Sequence, residues 1–289
     1  MQNLFKEIYN SNEYPREIIE QIANDRENYE SILIDFINSL IDYPEMMRDD
    51  NFLNQLVVAV VILSYWKSEN AFEVMVDFLK EFGGEFEVYL DSFDLEDLNP
   101  AVIRTYNGNL HKLKELIFCD RICEYVRCIG LKCLNIEYYK KNITKSWLLD
   151  FYKPLLLERD DVDFLKAVLL TIDSINPYEL QTEIDNALKF IFENERGWVL
   201  ENEDFDFSEE KQSKFDAHLK QDFDFNKRHD DLHERIEFWY EGGFNQYDYH
   251  HESDNYEVNS QNKSKENKKK TKNKRKQAKA SKKKNRKKK

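Results

Sequence analysis

Glycine and proline are scarce in this chain of 289 residues, with seven and five occurrences. Both residue types interrupt regular structure, and most apolar residues recur at helical rather than alternating spacing. The sequence therefore predicts an all-α body. Cysteine is scarcer still, with four residues that all lie between Cys119 and Cys133. That number does not fit a small secreted scaffold held by disulfides.

Long apolar runs are also missing. The longest is Leu56–Leu63, with eight residues, whereas a membrane-spanning helix needs about 18. The first 17 residues lack the basic start, apolar stretch and small-residue cleavage site of an export signal. We therefore expect a cytoplasmic protein with no transmembrane segment and with reduced cysteines.

The net charge of −13 conceals two regions of opposite sign. Residues 263–289 contain 17 of the 43 Lys and Arg residues and one of the 56 acids, Glu266. This segment carries a net charge of +16, and residues 1–262 carry −29. A strongly acidic body followed by a strongly basic tail without aromatic residues is typical of an interaction tail.

Apolar stripes predict several short helices. One stripe has three-one spacing and comprises Tyr29, Ile32, Leu33, Phe36, Ile37, Leu40 and Ile41. Similar patterns cover 52–65, 71–82, 164–175 and 180–192. Short helices joined by short polar turns favour stacked helical pairs over a closed bundle.

Proline and glycine indicate where these helices begin and end. Four prolines are placed as helix starts: Pro15, Pro44, Pro100 and Pro177. The pairs Gly83-Gly84 and Gly242-Gly243 are placed as helix stops. Pro154 lies inside an apolar helical pattern, so that helix is either kinked or divided there.

The four cysteines lie too far apart for a common metal ion. If residues 119–133 form one helix, its ends are about 21 Å apart, and Cys128 points nearly opposite to Cys119. Four thiolates at about 2.3 Å from one zinc ion are then impossible, and the C-x-x-C spacing is absent. Only Cys119 and Cys123 can be neighbours. We expect buried structural cysteines.

The segment "CEYVRCIGLKCL" resembles the second helix of a HEAT-type repeat. The resemblance rests on the pair Val126-Arg127, followed by small residues at Cys128, Gly130 and Cys133. Small residues permit a close approach of neighbouring helices, so the resemblance implies tight helix packing at these positions.

Three longer blocks carry a wider resemblance: "YPREIIEQI" at 14–22, "LEDLNPAVIRTYNGNLHKLKELI" at 95–117 and "EYVRCIGLKCL" at 124–134. In order and separation they are similar to the bacterial family called domain of unknown function 1186, over roughly 14–205. The resemblance implies an α-solenoid of HEAT-like helical pairs with no established activity. Some members end in a cysteine-rich zinc segment like that of the SecA translocase. This chain has no cysteine after Cys133, so that docking is not expected.

Together these features predict three regions. Residues 12–200 form a HEAT-like α-solenoid of stacked helical pairs. Residues 201–258 add acidic loops and further helices packed on or beside that body. Residues 259–289 form a disordered Lys-rich tail.

The best candidate for a metal site is "HDDLHE", in which His229 and His233 are four residues apart and would share a helix face, beside Glu234. The hydrolase motif H-E-x-x-H has a different spacing and has Glu after the first His. A solvated helix with no metal or other cofactor is therefore the preferred interpretation. The sequence shows no Gly-rich phosphate loop, Ser-His-Asp arrangement or G-x-S-x-G element.

The tetrapeptide Asp-Phe-Asp-Phe occurs twice, within 201–210 and within 221–231. Neither stretch has the central Gly and spaced oxygen ligands of a calcium loop. We interpret both as acidic loops with Phe anchors on the body. A duplicated docking motif is the alternative.

The tail is expected to bind anions without reading sequence, because its cations neutralise phosphates and no aromatic residue is present to stack on bases. The residues assigned to nucleic-acid or anion binding are Lys268, Lys269, Lys270, Lys274, Arg275, Lys276, Lys282, Lys283, Lys284, Arg286, Lys287, Lys288 and Lys289. RNA or the ribosome is the first candidate. Contact with an acidic partner or with the chain's own acidic body, an anionic membrane surface, and an inert extension are the alternatives.

The function predicted from sequence is that of a non-enzymatic interaction module, with a protein partner on the solenoid surface and a tail for electrostatic capture. No catalytic or cofactor-binding residue is assigned. A metal-dependent enzyme using His229 and His233 is the first alternative. A purely structural solenoid with a solubilising tail is the second.

Overall fold

The computed structural model of the protein describes residues 4–9, 11, 13–85, 95–158, 160–194 and 207–240. Within these ranges every regular element is helical and no strand occurs, which confirms the all-α class. The α-helices, numbered in chain order, are α1 (Phe5–Tyr9), α2 (Arg16–Asn24), α3 (Arg26–Asp42), α4 (Asp50–Tyr65), α5 (Phe72–Phe82), α6 (Leu95–Thr105), α7 (Leu110–Ile117), α8 (Glu124–Tyr139), α9 (Lys145–Leu155), α10 (Val162–Ile172), α11 (Gln181–Asn194), α12 (Gln212–Phe225) and α13 (Leu232–Phe238).

Helices α3 to α10 are arranged as four consecutive pairs in two rows. The first row contains α3, α5, α7 and α9, and the second row contains α4, α6, α8 and α10. Each helix packs on the other member of its pair, and each second-row helix also packs on the next one in that row. This is the stacked-pair arrangement that the sequence pattern and the HEAT resemblance predict. Helices α1 and α2 pack on α4 and α3, and α11 packs on α10.

The last described segment, residues 207–240, lies against the second row, and we call it the return segment. Its helix α12 packs on α8 and on the 3-10 turn Asp173–Ile175. Its helix α13 packs on α4, as does the 3-10 turn Arg228–Asp230. The chain therefore covers part of the second row with its own carboxy-terminal helices.

The apolar stripes define which helix faces are buried. In α3 the residues Tyr29, Leu33, Ile37 and Leu40 are buried, as their spacing predicts. Every residue of Leu56–Leu63 in α4 is buried. A helix that is apolar all round needs neighbours all round, and α4 has them: α1, α3, α6 and the return segment.

Some helix boundaries differ from those predicted. Pro15 caps α2 and Pro44 begins a 3-10 helix as expected, but Pro100 lies inside α6. There it removes one backbone hydrogen bond rather than starting the helix. Pro154 does not divide α9 into two helices, because the helix ends one residue later at Leu155.

The cysteine segment is not one helix. Helix α8 begins at Glu124, and Cys123 precedes it with extended backbone (φ −65°, ψ 154°). The backbone N–H of Cys123 donates to the carbonyl of Gly83, 3.1 Å away. The turn before α8 therefore lies against the end of α5. Cys119 and Cys123 precede α8, and Cys128 and Cys133 lie within it. Residues 119–133 are therefore not one continuous helix, so the separation calculated for a single helix does not apply to Cys119 and Cys123.

The HEAT-like positions of α8 make close contacts. Arg127 is buried, and its guanidinium donates to the carbonyl of Ile117 at 2.9 Å and lies 3.3 Å from the ring centre of Phe164. The Nη1 atom of Arg127 forms an ion pair with Asp161, and the carboxylate of Asp161 caps the amino terminus of α10. Arg127 therefore joins α7, α8 and α10 through one side chain.

Gly130 lies where α8 packs closely on α7. A Cβ atom added there would lie 2.5 Å from Cγ1 of Ile117. The small residue is required by packing rather than by backbone conformation, as the repeat resemblance implies. In the described part of the chain, no helix is both long enough and apolar enough to span a membrane.

Candidate functional site

A cavity of about 290 Å³ opens between the second row and the return segment. Helix α6 contributes Asn99 and Ile103, and helix α8 contributes Lys132, Asn135 and Ile136. The return segment contributes Asp222, Phe225 and Asn226. Each wall thus comes from a different helix, and α12 closes a space that α6 and α8 alone would leave open. We call this space the α12 cavity.

The wall of the α12 cavity combines both charges with uncommitted amide oxygens. The Oδ1 atoms of Asn99 and Asn226 are buried and have no hydrogen-bond partner among the described residues. Asn226 is held by its other amide atom, which donates to the backbone carbonyl of Asp222 at 2.6 Å. Buried amide oxygens normally accept a hydrogen bond, so two lone acceptors at one cavity are unusual.

Asp222 and Lys132 face the same cavity without forming an ion pair within the described residues. Asp222 retains contact with solvent, but surrounding protein atoms reduce its hydration and raise its pKa, while the charge of Lys132 opposes that rise. A carboxylate that loses hydration without gaining a partner favours a positively charged neighbour. The cavity therefore has acceptor groups, one ammonium group and apolar side chains within one small volume.

Beside the α12 cavity, a fully buried carboxylate anchors the return segment. Asp97 of α6 accepts four hydrogen bonds from three residues that all follow α12 in the sequence. Oδ1 accepts from His229 Nε2 at 2.9 Å and from Arg235 Nε at 2.5 Å. Oδ2 accepts from Arg235 at 2.5 Å and from Trp239 Nε1 at 2.7 Å. All acceptor positions of the carboxylate are thereby used.

The protonation states follow from these contacts. Burial raises the pKa of Asp97, but the hydrogen bonds from His229 and Arg235 and the charge of Arg235 outweigh burial and hold the pKa below its usual value. Burial lowers the pKa of His229, and the opposing effect of Asp97 does not restore it. His229 is therefore neutral, with the proton on Nε2 facing Asp97, and Nδ1 accepts from the Ser64 hydroxyl at 2.7 Å.

Arg104 forms a second anchor between α6 and the return segment. Its guanidinium donates to the backbone carbonyl of Ser64 at 3.0 Å and to that of Asn226 at 3.1 Å. It also pairs with Asp230 at 2.6 Å. Asn226 thus belongs both to this anchor and to the α12 cavity.

The sequence prediction that His229 and His233 share a helix face is wrong. His229 lies in the 3-10 turn Arg228–Asp230 and His233 in α13, because the capping residue Asp231 separates the two elements. His229 uses both ring nitrogens inside the protein, whereas Nδ1 of His233 contacts the hydroxyl of Tyr14. Across the described ranges, no three His, Cys, Asp or Glu side chains are grouped to hold a metal ion.

A Ser-His-Asp chain exists that the sequence pattern did not show. Ser64, His229 and Asp97 are linked in that order by the two hydrogen bonds of the imidazole. The three residues come from α4, the return segment and α6, so no linear spacing reveals them. All three are completely buried, which denies a substrate access to the hydroxyl. The arrangement is a structural anchor.

One of the predictions for the last third of the chain can be compared with the fold. The second Asp-Phe-Asp-Phe tetrapeptide is not an acidic loop, because residues 222–225 form the last turn of α12. Its first Phe packs on Tyr139 with ring centres 4.9 Å apart. All basic residues assigned in the tail, Lys268 to Lys289, and the glycine pair at 242–243 lie outside the described residues.

The cysteines are free thiols in two environments. Cys128 and Cys133 are buried, and burial raises the pKa of Cys128 to about 11 and that of Cys133 further. Cys119 and Cys123 are partly exposed. High thiol pKa values oppose both metal ligation and nucleophilic attack at Cys128 and Cys133.

A cluster of aromatic side chains reaches the surface of the first row, and we call Phe118, Trp147 and Phe151 the aromatic cluster. Trp147 stacks on Phe151 at 5.7 Å between ring centres, and Phe118 contacts Phe151 at 6.1 Å. Phe118 is 53% exposed. The ammonium group of Lys114 lies 5.5 Å from the ring centre of Phe151. Trp147 and Phe151 are half-buried, so Phe118 is the exposed edge of the cluster. An exposed aromatic residue on such a cluster with a neighbouring cation is typical of protein contact sites.

The residues of the α12 cavity and its anchor were missed as a site by sequence reasoning. Asp97, Asn99 and Arg104 nevertheless all lie in the block "LEDLNPAVIR", which carries part of the family resemblance. That block was the available signal. The residues of the return segment that contact this block lie more than 100 positions later in the sequence, and their spacing matches no known pattern.

Comparison with known proteins gives one family match. The family model described as "Protein of unknown function (DUF1186)" matches residues 1–242. The match includes the return segment, which extends the similarity beyond the region estimated from sequence blocks. No curated protein and no solved structure matches the chain.

Proposed function

This chain belongs to the family described as Protein of unknown function (DUF1186), and we propose that it is a non-enzymatic interaction scaffold. Its first row of helices binds a protein partner, and its basic tail captures a polyanion, namely RNA or the ribosome. The proposal combines a surface of the described helices with the charge of the tail sequence.

The observation that carries the proposal is the aromatic cluster. Packed aromatic residues normally lie in the core, where burying apolar area stabilises the fold by about 25 cal/mol per Å². Phe118 keeps half of its surface exposed although it contacts Phe151. A partner that covers Phe118 and Phe151 recovers this burial energy, and Trp and Phe supply large contact area at low entropy cost.

The return segment supports a partner site on the first row. In the second row, α4 and α8 are already covered by the return segment. The cover on α4 is anchored by the buried carboxylate of Asp97, so a partner cannot displace that part cheaply. The first row has no comparable cover among the described residues.

The tail supports a separate, electrostatic role. Residues 1–262 carry a net charge of −29 and repel phosphate backbones, so polyanion contact has to be made by the basic residues after 262. Such binding weakens steeply with salt because it releases counterions.

The test is affinity purification of the full chain, the chain lacking 263–289, and Phe118→Ser, each with and without nuclease. We expect the truncated chain to lose nucleic acid and keep its protein partner. We expect Phe118→Ser to lose the protein partner and keep nucleic acid. Phe192→Ser is the matched control, because Phe192 is 78% exposed on α11 but lies outside the aromatic cluster.

Three results would contradict the proposal. If the truncated chain binds RNA as well as the full chain at equal salt, the tail does not capture polyanions. If no partner is recovered and truncation alters only solubility, the structural-solenoid alternative is favoured. If purified protein contains stoichiometric zinc, iron or manganese that His233→Ala abolishes, the metal-dependent enzyme is favoured.

A further inference from the structure

We propose that the α12 cavity binds a small zwitterion, a free α-amino acid with an apolar side chain, and that the bound ligand holds the return segment on the second row. The inference is independent of the partner-binding role, because it uses a different surface and different residues.

The size of the cavity selects a small ligand. Its volume of about 290 Å³ lies near the lower limit of the range for small-molecule sites. A free amino acid fits in this volume, whereas a folded peptide does not.

The chemistry of the wall selects the ligand's functional groups. Asp222 provides a carboxylate at the wall. Asn99 and Asn226 also line the cavity, and their Oδ1 atoms have no donor among the described residues but are covered by neighbouring atoms, so a ligand reaches them only when the amides rotate. These acceptors suit an ammonium group, which offers three N–H donors. Lys132 provides the cation that suits a carboxylate.

The arrangement of the two charges supports one ligand that meets both. Both side chains line the cavity, and the positive charge of Lys132 lowers the pKa of Asp222 against the effect of burial, yet the two do not form an ion pair within the described residues. Opposite charges that share a cavity wall without contact leave room for a molecule carrying both complementary charges.

The apolar part of the wall selects the side chain of the ligand. Ile103, Ile136 and Phe225 complete the lining. Phe225 remains 44% exposed, and an aliphatic or aromatic ligand side chain would cover part of it. Leucine, isoleucine and phenylalanine are therefore the expected ligands, ahead of acidic or basic amino acids.

Ligand binding is coupled to the docking of the return segment, because the cavity is lined from both sides. Ile103 and Ile136 belong to the helical body, whereas Asp222, Phe225 and Asn226 belong to the return segment. A ligand that contacts both sides adds contacts that exist only while α12 is docked. By mass action it shifts the equilibrium toward the docked state.

The test is isothermal titration of the full-length protein with L-leucine, L-isoleucine and L-phenylalanine. Isopentylamine and 4-methylpentanoate are the chemical controls, because each lacks one of the two charged groups of leucine. We expect at least one of the amino acids to bind and both controls to bind about tenfold more weakly or worse, as one charge-assisted contact is lost.

The variants Asp222→Asn and Lys132→Met should each weaken binding by about tenfold. Both side chains contact solvent, so the variants are expected to fold. The controls are Asp216→Asn and Lys220→Met, which make the same chemical changes at positions of α12 that do not line the cavity. They should leave the affinity for the ligand unchanged. Hydrogen exchange should show slower exchange of α12 amides with ligand bound.

Each alternative result overturns the inference. Absence of binding by all three amino acids at about 10 mM, a concentration that would reveal even millimolar affinity, rules out the site. Equal binding of isopentylamine and leucine shows a cation site only. Unchanged affinity in both cavity variants places the ligand elsewhere. Ligand binding without slower hydrogen exchange in α12 contradicts the coupling between the ligand and the docking of the return segment.

Discussion

Asp97 and His229 are 132 positions apart in sequence and share a 2.9 Å hydrogen bond in the fully buried interior. Asp97 belongs to the middle of the helical body, and His229 belongs to the return segment. The bond is one of four that the carboxylate accepts, and every donor comes from the return segment. Asp97 therefore joins three residues of the return segment to α6 through one side chain.

We expect Asp97→Asn to destabilise the protein by about 3 kcal/mol or more, because it leaves the buried guanidinium of Arg235 without its counter-charge. Urea unfolding measures the loss. Asp230→Asn is the control, because the Asp230 side chain is 56% exposed in its ion pair with Arg104. Removing this pair should cost about 1 kcal/mol or less. Equal losses in the two variants would contradict the assignment of Asp97 as the anchor.

We expect the free energy of unfolding to fall as the pH drops below about 6.5. Burial lowers the pKa of His229 in the folded state, so the unfolded chain takes up the proton first. The stability that the neutral His229 contributes is fully present above the pKa of this histidine in the unfolded chain. It is lost as the pH falls from that pKa to the lower pKa in the folded protein, with a slope of at most about 1.4 kcal/mol per pH unit. Below about pH 4 protonation of Asp97, whose folded pKa is lowered, adds a second loss.

The pH dependence is measured by urea unfolding between about pH 4 and pH 8. His229→Gln should flatten the region around pH 6, and His111→Gln, at an exposed position, is the matched control. A variant at His229 that retains the full slope would show that another group is responsible.

We expect Gly130→Ala to destabilise the protein by about 1–3 kcal/mol, because its Cβ overlaps with Ile117. The better helix propensity of Ala, worth up to about 1 kcal/mol, opposes this cost without cancelling it. Thermal unfolding of Gly130→Ala, Ile117→Ala and the double variant measures the coupling. The double variant should be more stable than the sum of the single changes predicts.

Gly108→Ala is the control for Gly130→Ala. Gly108 has φ +84° and no atom within 4 Å of an added Cβ, so its cost is one of backbone conformation alone. That cost should not change when Ile117 is replaced. Additive effects of Gly130→Ala and Ile117→Ala would contradict the packing explanation.

We expect a thiol reagent such as DTNB to label only Cys119 and Cys123 in the folded protein at pH 8. Cys128 and Cys133 are buried, and their raised pKa values leave almost no thiolate. Labelling rates with and without denaturant measure the difference. The double variant Cys119→Ser and Cys123→Ser should show no native labelling. Rapid native labelling of that variant would contradict the burial of the α8 thiols.

The sequence predicted the local structure well, because helix formation depends on near neighbours. The stripe from Tyr29 to Ile41 correctly predicted the buried face of α3, and the apolar run Leu56–Leu63 correctly predicted a central helix. The proline rule failed at Pro100, because tertiary packing holds α6 together across the missing hydrogen bond.

The α12 cavity and its anchor could not be predicted, because their residues meet only through the return of the chain. His229 and His233 looked like a pair on one helix, and the capping residue Asp231 was the overlooked signal that a new helix starts between them. Asp222 looked like part of a solvated acidic loop, and only the docking of α12 on α8 gives it a cavity. Pairings over more than 100 residues leave no periodic trace in a single sequence.

The anchor also determines the order in which a nascent chain matures. While the ribosome is still making the carboxy-terminal helices, Asp97 has already left the exit tunnel, but Arg235 and Trp239 have not been added. The second row then carries an unneutralised acid beside exposed aliphatic side chains. A prematurely terminated product that ends before Arg235 remains in that state, because it lacks the donors that neutralise Asp97 in the finished molecule.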